Sequence, residues 1–189
     1  LDFFNNQISG SIPSEIGSLS NLLNFDVRTN ILTGEIPIEI YNLYNLTRFG
    51  VGNNQLTGTI SPSIGNLSDV YFIDIGANNF TGTIPVAIGT ISGLVELYMA
   101  AASGFEGEIP LTFSNLTSLN IFSFQNTDLC EPSDPTYQSW KSTVSQYTGS
   151  ELVCDATVFH PQNVTAKMVS GTQAVVRWDD DRNEFSEEL

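Results

Sequence analysis

Residues 22–30 read LLNFDVRTN, residues 46–54 LTRFGVGNN and residues 70–78 VYFIDIGAN. All three follow apolar-x-x-apolar-x-apolar-x-x-Asn, and Asn6, Asn30, Asn54 and Asn78 fall 24 apart. A fixed period of this length outranks any single element, because one coil of a repeat cannot bury its own apolar side and must stack on its neighbours. The register continues as 94–102 (LVELYMAAA) and 119–127 (LNIFSFQNT), where Ala102 and Thr127 replace the Asn. One residue is inserted near Ser103–Gly104.

Outward from these segments a second block recurs: ISGSIP at 8–13, LTGEIP at 32–37, LTGTIS at 56–61, FTGTIP at 80–85 and FEGEIP at 105–110. A third follows, as in Ile16-Gly17-Ser18-Leu19 and Ile64-Gly65-Asn66-Leu67. Over residues 1–129 the pattern resembles the plant-type leucine-rich repeat, Leu-x-x-Leu-x-Leu-x-x-Asn-x-Leu-x-Gly-x-Ile-Pro. It departs from it at Ser61, where Pro is expected, and at Ala102 and Thr127. The resemblance implies an α/β repeat solenoid: a leucine-rich-repeat right-handed superhelix with short parallel strands on the concave face and a 24-residue period.

Within one coil, residues two apart such as Phe25 and Val27 should point inward from a short strand while Asp26 and Arg28 point out. Leu19 and Leu22 are expected in the same interior. A buried Asn amide can pair with backbone groups that the bend leaves unsatisfied, so a looser or differently bonded bend is expected at Ala102 and Thr127. Gly34 permits positive φ in the next turn and Pro37 ends any strand.

The ends differ from the middle. Leu1 and Phe3 align with Phe25 and Val27, so the chain is expected to start inside a strand, as a cut from a longer protein with an open edge. Three segments are expected: a solenoid over 1–129, a cap over 130–156, and 157–189. In the cap, Asp134 and Pro135 make an N-cap and first helical residue, and Tyr137, Trp140, Val144 and Tyr147 recur at helical spacing before Gly149. A short helix laid over the solenoid's end is expected. Cys130 and Cys154 are the only cysteines. They resemble the disulfide of caps on such repeats, although a plant cap usually has its second Cys much closer; two unpaired structural thiols are the alternative. A bridge would contribute about 3.5 kcal/mol in the loop-entropy model and imply an oxidising location. Residues 161–178 (PQNVTAKMVSGTQAVVRW) look like the opening of a fibronectin type III domain, two strands around a Ser-Gly-Thr turn, with Val175, Val176 and Trp178 lacking a facing sheet. The acidic tail around Arg182 reads as a solvated charge run.

Composition narrows function. Net charge is −15, from six basic against 21 acidic residues, and such a surface repels phosphate backbones and anionic membranes. Nucleic acid is therefore excluded as the expected partner, and no apolar run reaches the roughly 18 residues of a membrane segment. His160, the sole His, has no nucleophile placed beside it by any motif. Asp179-Asp180-Asp181 lacks the glycine and distal Glu of a calcium loop. No catalytic residue, metal site or cofactor is expected, and the chain reads as a non-enzyme.

Binding is the better-founded expectation. Outward strand positions fall into columns: Asp2, Asp26, Gly50, Asp74, Tyr98, Ser123; Asn24, Arg48, Phe72, Glu96, Ile121; and Phe4, Arg28, Gly52, Gly76, Ala100, Gln125. Asp26, Arg28, Arg48, Phe72, Asp74, Glu96 and Tyr98 are the candidate contact residues, with Phe72 and Tyr98 expected exposed, since aromatics and Arg dominate interface energetics. Small residues in the third column are expected to let a ligand approach the backbone. The expected partner is a protein, peptide or glycan, met outside the cell or at its surface. The alternatives are a passive spacer or adhesin stalk, the ectodomain of a receptor kinase, or a glycanase inhibitor. Sequons at Asn45, Asn66, Asn79, Asn115 and Asn163 could carry glycan in a eukaryotic secretory host; on a microbial surface protein they would be bare.

The pairing of the cysteines gives a first test. Intact mass after alkylation without reductant should show no added label, and two labels would establish free thiols.

Overall fold

The computed structural model describes residues 1–154 apart from Ser103 and Glu151, together with the backbone of strands Gln162–Ser170, Gln173–Asp179 and Ser186–Glu188. The chain divides into units Leu1–Cys154 and Asp155–Leu189. Readings that concern His160, the side chain of Asn163, the acidic tail, and the surroundings of Val175, Val176 and Trp178 lie outside the described residues.

In the first unit each coil contributes one short strand to a parallel main sheet: Asn24–Asp26, Arg48–Gly50, Phe72–Asp74, Glu96–Tyr98 and Ile121–Ser123. The register runs Asn24, Arg48, Phe72, Glu96, Ile121 without slippage, and Asp2 bridges Asp26 at the first coil. This is the leucine-rich-repeat solenoid that the 24-residue period predicts. On a second side, Ser9–Gly10, Ile31–Gly34, Gln55–Gly58 and Asn79–Phe80 pair in parallel, with Gly34 at φ 77 opening the turn that follows.

The third side is a row of 3-10 helices, Ser14–Ser18, Ile38–Asn42, Pro62–Asn66, Val86–Thr90 and Leu111–Asn115. Pro13, Pro37, Pro85 and Pro110 precede four of them in extended conformation, with φ fixed by the ring. At the fifth, Ser61 takes over as a side-chain cap, its hydroxyl accepting from the Ser63 backbone N–H. The departure from the repeat thus keeps the helix start by a different bond.

The ladder asparagines stitch coils together. Asn78 Nδ2 donates to the carbonyls of Ile75 and Gly76 in its own bend and of Val51 one coil earlier, while its Oδ1 accepts from Leu56 N–H. Asn54 and Asn30 repeat the set. Asn6 reaches only the carbonyls of Phe3 and Phe4. At Thr127 the hydroxyl donates to Phe124 O and accepts from Leu129 N–H; it is too short to cross to the previous coil. At Ala102 the backbone carbonyl accepts from Phe105 N–H instead. Both bends are differently bonded, as expected.

Inside, the apolar positions form one column-built core running from Ile12 to Val144, with ring pairs such as Phe25–Phe49 and Phe80–Phe105 at centroid distances of 6.2 and 6.0 Å. Leu19 is a correction: it is 45% exposed and Leu22 half-buried, whereas Leu43, Leu67 and Leu116 at the same position are fully covered. Leu43, Leu67 and Leu116 each have an earlier coil of this sequence beside them, whereas Leu19 lies in the first of these coils.

The cap also differs from expectation. Asp134 caps the helix Pro135–Lys141 through bonds from Thr136 N–H and Tyr137 N–H, and Tyr137 and Trp140 are buried. Trp140 Nε1 donates to Leu116 O and its ring meets Phe113 and Phe122. Tyr147, however, lies on strand Gln146–Thr148, which joins the main sheet beside Ile121–Ser123. Cys130 and Cys154 are bonded, Cα atoms 5.1 Å apart, and strand Val153–Cys154 pairs with Asp128–Pro132. The cap is a further coil with an α-helix in place of a 3-10 helix. In the second unit, Gln162–Ser170 pairs antiparallel with Gln173–Asp179, and that strand with Ser186–Glu188.

Substituting Asn78→Ala should cost about 3 kcal/mol or more, because several buried backbone groups lose their partner at about 1–3 kcal/mol each. Asn6→Ala should cost under about 1 kcal/mol, as its site is exposed. Urea titrations of both variants check the contrast.

Candidate functional site

The main-sheet register brings the outward residues of four neighbouring coils into one cluster. Strand Asn24–Asp26 supplies Asp26, and the residues just past it supply Arg28; the next strands supply Arg48, then Phe72 and Asp74, then Glu96 and Tyr98. Arg28 grips Asp26 with two parallel bonds, Nε to Oδ1 at 2.8 Å and Nη2 to Oδ2 at 2.7 Å, while its backbone N–H donates to the same Oδ1. Arg48 Nε reaches Asp26 Oδ2 at 3.4 Å, and Arg28 Nη1 reaches Asp74 Oδ2 at 3.4 Å. One carboxylate thus organises both guanidinium groups. Planar two-point pairing of this kind holds a guanidinium in one orientation, which a lysine would not do.

Phe72 lies beneath the two arginines. Arg48 Cζ sits 3.5 Å from its ring centroid and Arg28 Cζ 4.9 Å, with the Tyr98 ring 5.7 Å away on another side. Arg28 also stands 5.1 Å from the Phe4 ring. Each such cation–ring contact is worth about 0.5–2 kcal/mol, more where water is excluded. Tyr98 closes the cluster by donating its hydroxyl to Glu96 Oε2 at 3.0 Å.

Three expectations about this face are corrected. Phe72 is only 3% exposed, since the arginines lie over it. Asp26 points outward yet is 3% exposed, roofed by the guanidinium groups that it binds. The small residues of the third column do not leave the backbone open. A Cβ on Gly52 would meet Asp74 Oδ1 at 2.2 Å, because the Asp74 side chain lies across it, and one on Gly76 would meet Ala100 O at 2.7 Å. Arg28, Arg48, Asp74, Glu96 and Tyr98 are half-buried.

Sequence reasoning grouped the seven residues but omitted Phe4, which stacks on Arg28. Its place in the same column as Arg28 was the available signal. It also passed over Asn24, in register with Arg48, whose Oδ1 is buried without a partner. The arrangement offers a ligand the Nη atoms of Arg48, whose only bond within the described residues is through Nε, along with the Glu96 carboxylate and the edge of the Tyr98 ring. Four sequon asparagines, Asn45, Asn66, Asn79 and Asn115, are exposed and belong to none of the main-sheet strands. Among the described residues, no group of His, Cys, Asp and Glu has metal-binding geometry, and no helix is long and apolar enough to cross a membrane.

The two carboxylates answer burial differently. Burial works against ionised Asp26, but the Arg28 side-chain and backbone bonds, the Arg28 charge and the Arg48 bond together hold its carboxyl below the ordinary value. For Asp74 burial prevails over Arg28 and the Gly76 N–H, with Asp26 repelling it, so its carboxyl is raised. Burial and the Glu96 acceptor raise the Tyr98 hydroxyl.

Comparisons with known proteins support the fold. The Leucine Rich Repeat family model matches residues 1–19 and 45–67. No curated protein matches the sequence. Among solved structures, the plant peptide hormone receptor RGFR1 in complex with RGF2 superposes with TM-score 0.72 at 30% identity, over 77% of this chain and 23% of that one. The Arabidopsis receptor kinase HAESA, in complex with the peptide hormone IDA and the co-receptor SERK1, gives 0.70 at 31%, over 76% and 24%. A TDR receptor gives 0.72 at 26%, over 79% and 26%. The chain spans about a quarter of the length of these receptors. It is a leucine-rich-repeat solenoid whose structural neighbours are plant receptor ectodomains.

The opposite pKa directions predict opposite pH behaviour. Asp26, with a lowered folded value, contributes stability that is present above the ordinary 3.8 and is lost as pH falls through the folded value. Asp74, with a raised value, favours the fold below the ordinary 3.8, and that contribution is lost as pH rises through its folded value. Melting curves from pH 3 to 7 should therefore show Asp74→Asn gaining relative to wild type as pH rises, and Asp26→Asn losing.

Proposed function

We propose that this chain is a non-catalytic recognition module, working outside the cell or at its surface, that binds a peptide or an extended protein segment along the main-sheet face. The observation that carries the reading is the Asp26–Arg28–Arg48–Phe72 cluster. Within Leu1–Cys154 only three residues are basic, Arg28, Arg48 and Lys141, and two of them meet here, oriented in advance by a buried carboxylate. Side chains already fixed in place lose little entropy when a ligand arrives. Arg48 would take a carboxylate or backbone carbonyl on its outward Nη atoms, and Glu96 a donor from the same ligand, with the Tyr98 ring as the apolar contact. Receptors of the same fold solved with peptide hormones, RGFR1 and HAESA, support a peptide over a nucleic acid or small metabolite. The disulfide between Cys130 and Cys154 supports an oxidising compartment.

A second reading, a passive spacer, is favoured by the same cluster's self-sufficiency. Arg28 spends its donors on Asp26 and Asp74, so the network serves the fold whether or not a ligand comes. The segment boundaries at 129 and 156, and the fibronectin-like reading of 157–189, are likewise proposals; antiparallel pairing of the described strands there supports the latter.

Selection of peptides against the intact chain tests the reading. A selected peptide should lose tenfold or more in affinity with Arg48→Ala and several-fold with Tyr98→Ala, while Thr57→Ala on the second sheet leaves it unchanged. If Arg48→Ala and Tyr98→Ala both bind at full strength, the main-sheet proposal fails and the spacer reading takes its place.

A further inference from the structure

The last 3-10 helix and the cap helix border an open, shallow groove of about 580 Å³, lined by Ser114, Thr117, Pro135, Thr136, Ser139, Trp140 and Thr143. That volume falls within the roughly 300–1,000 Å³ of small-molecule sites. Its walls are hydroxyls without a single charge, and Trp140 forms the floor.

The groove exists because the coils separate here. Between 3-10 helices the approach is close: a Cβ on Gly17 would meet Glu39 at 2.6 Å, on Gly65 Ala87 at 3.0 Å, and on Gly89 Thr112 at 2.4 Å. The corresponding position before the cap is Ser114, which lines the groove beside the α-helix Pro135–Lys141. Tyr41, the other side chain at this position, fills its own gap and is 1% exposed. Ser114 leaves its gap open.

Exposed Asn115 lies in sequence between the wall residues Ser114 and Thr117, in the sequon Asn115-Leu116-Thr117. The hydroxyls of the other described sequons are engaged, and none of those sequons lines this groove. Asn45 donates to Ser20 O and Thr47 to Leu23 O; Ser68 donates to Asp69, and Thr81 to Gly58 O. Among the described residues neither the Asn115 amide nor the Thr117 hydroxyl makes a side-chain hydrogen bond.

From these observations we infer that Asn115 is an N-glycosylation site and that the first sugars of its glycan seat in the adjoining hydroxyl-lined groove, bridging the solenoid to its cap. The attachment is a group transfer from an activated oligosaccharide pyrophosphate donor of the secretory pathway. Asn115 Nδ2 forms a bond to the anomeric carbon, the bond from that carbon to the pyrophosphate oxygen breaks, Nδ2 gives up one proton, and the lipid pyrophosphate leaves. Sugar hydroxyls then donate to and accept from Ser114, Thr117, Ser139 and Thr136, each a two-way hydrogen-bonding group, and the apolar face of the ring lies toward Pro135 and Trp140.

The experiment uses the whole chain secreted from a eukaryotic host. Glycopeptide mass spectrometry reads occupancy at Asn115, and peptide-N-glycosidase release is timed on native and on heat-denatured protein. Occupancy is expected, with native release at least tenfold slower than denatured. Ser139→Tyr, or Thr143→Tyr should the first misfold, fills the groove while leaving the sequon intact; it should keep occupancy and bring native release within about twofold of the denatured rate. An unoccupied Asn115, native release as fast as denatured, or slow release that survives the filled groove would each overturn the inference.

Discussion

A single kind of contact makes the array possible: one buried asparagine side chain that bonds to two coils at once. Its amide nitrogen reaches carbonyls of its own bend and of the coil before, and its oxygen takes an N–H from that earlier coil, as at Asn78. A residue in the left-handed region precedes each ladder position, Thr29 and Ala77 among them. Where Asn follows, its side chain pairs backbone groups of two coils that would be costly to bury unpaired. With it in place, each strand is delivered one coil from the next, and the sheet follows.

The face that results is pre-set by that spacing. Side chains 24 residues apart end in contact, and the contact decides their character. Asp26 would be a solvated acid on an isolated strand; beside Arg28 and Arg48 it becomes a buried anchor with a lowered pKa. Phe72 would be an exposed anchor; beneath two guanidinium groups it becomes a support. A buried, fully paired network is stabilising only as a whole, which ties the rigidity of the face to the same coils that create it.

The cap shows the same economy of construction. Rather than lying across the end as a separate lid, residues 130–154 complete one more coil, contribute strand Gln146–Thr148 to the sheet, and are fastened by a disulfide between adjacent turns. Pro135–Lys141, an α-helix where earlier coils have 3-10 turns, borders the groove that Ser114 and Thr117 also line. Lys141 and Glu131 pair, and the Tyr137 and Tyr147 hydroxyls bond to each other, on the strand side of that helix.

The period, the inward positions and the ladder were legible in the sequence, because a 24-residue repeat is written in residue types alone and burial follows from stacking. The column membership of Asp26, Arg48, Phe72 and Tyr98 followed from the same count. The second sheet, the strand at Tyr147 and the exposure of Leu19 were not, since each depends on which neighbour is present rather than on local pattern. Nor could a count reveal that Phe72 is covered or that Asp74 lies over Gly52. Side-chain direction between coils is set by charge pairing across space, and that is decided only when the coils are stacked.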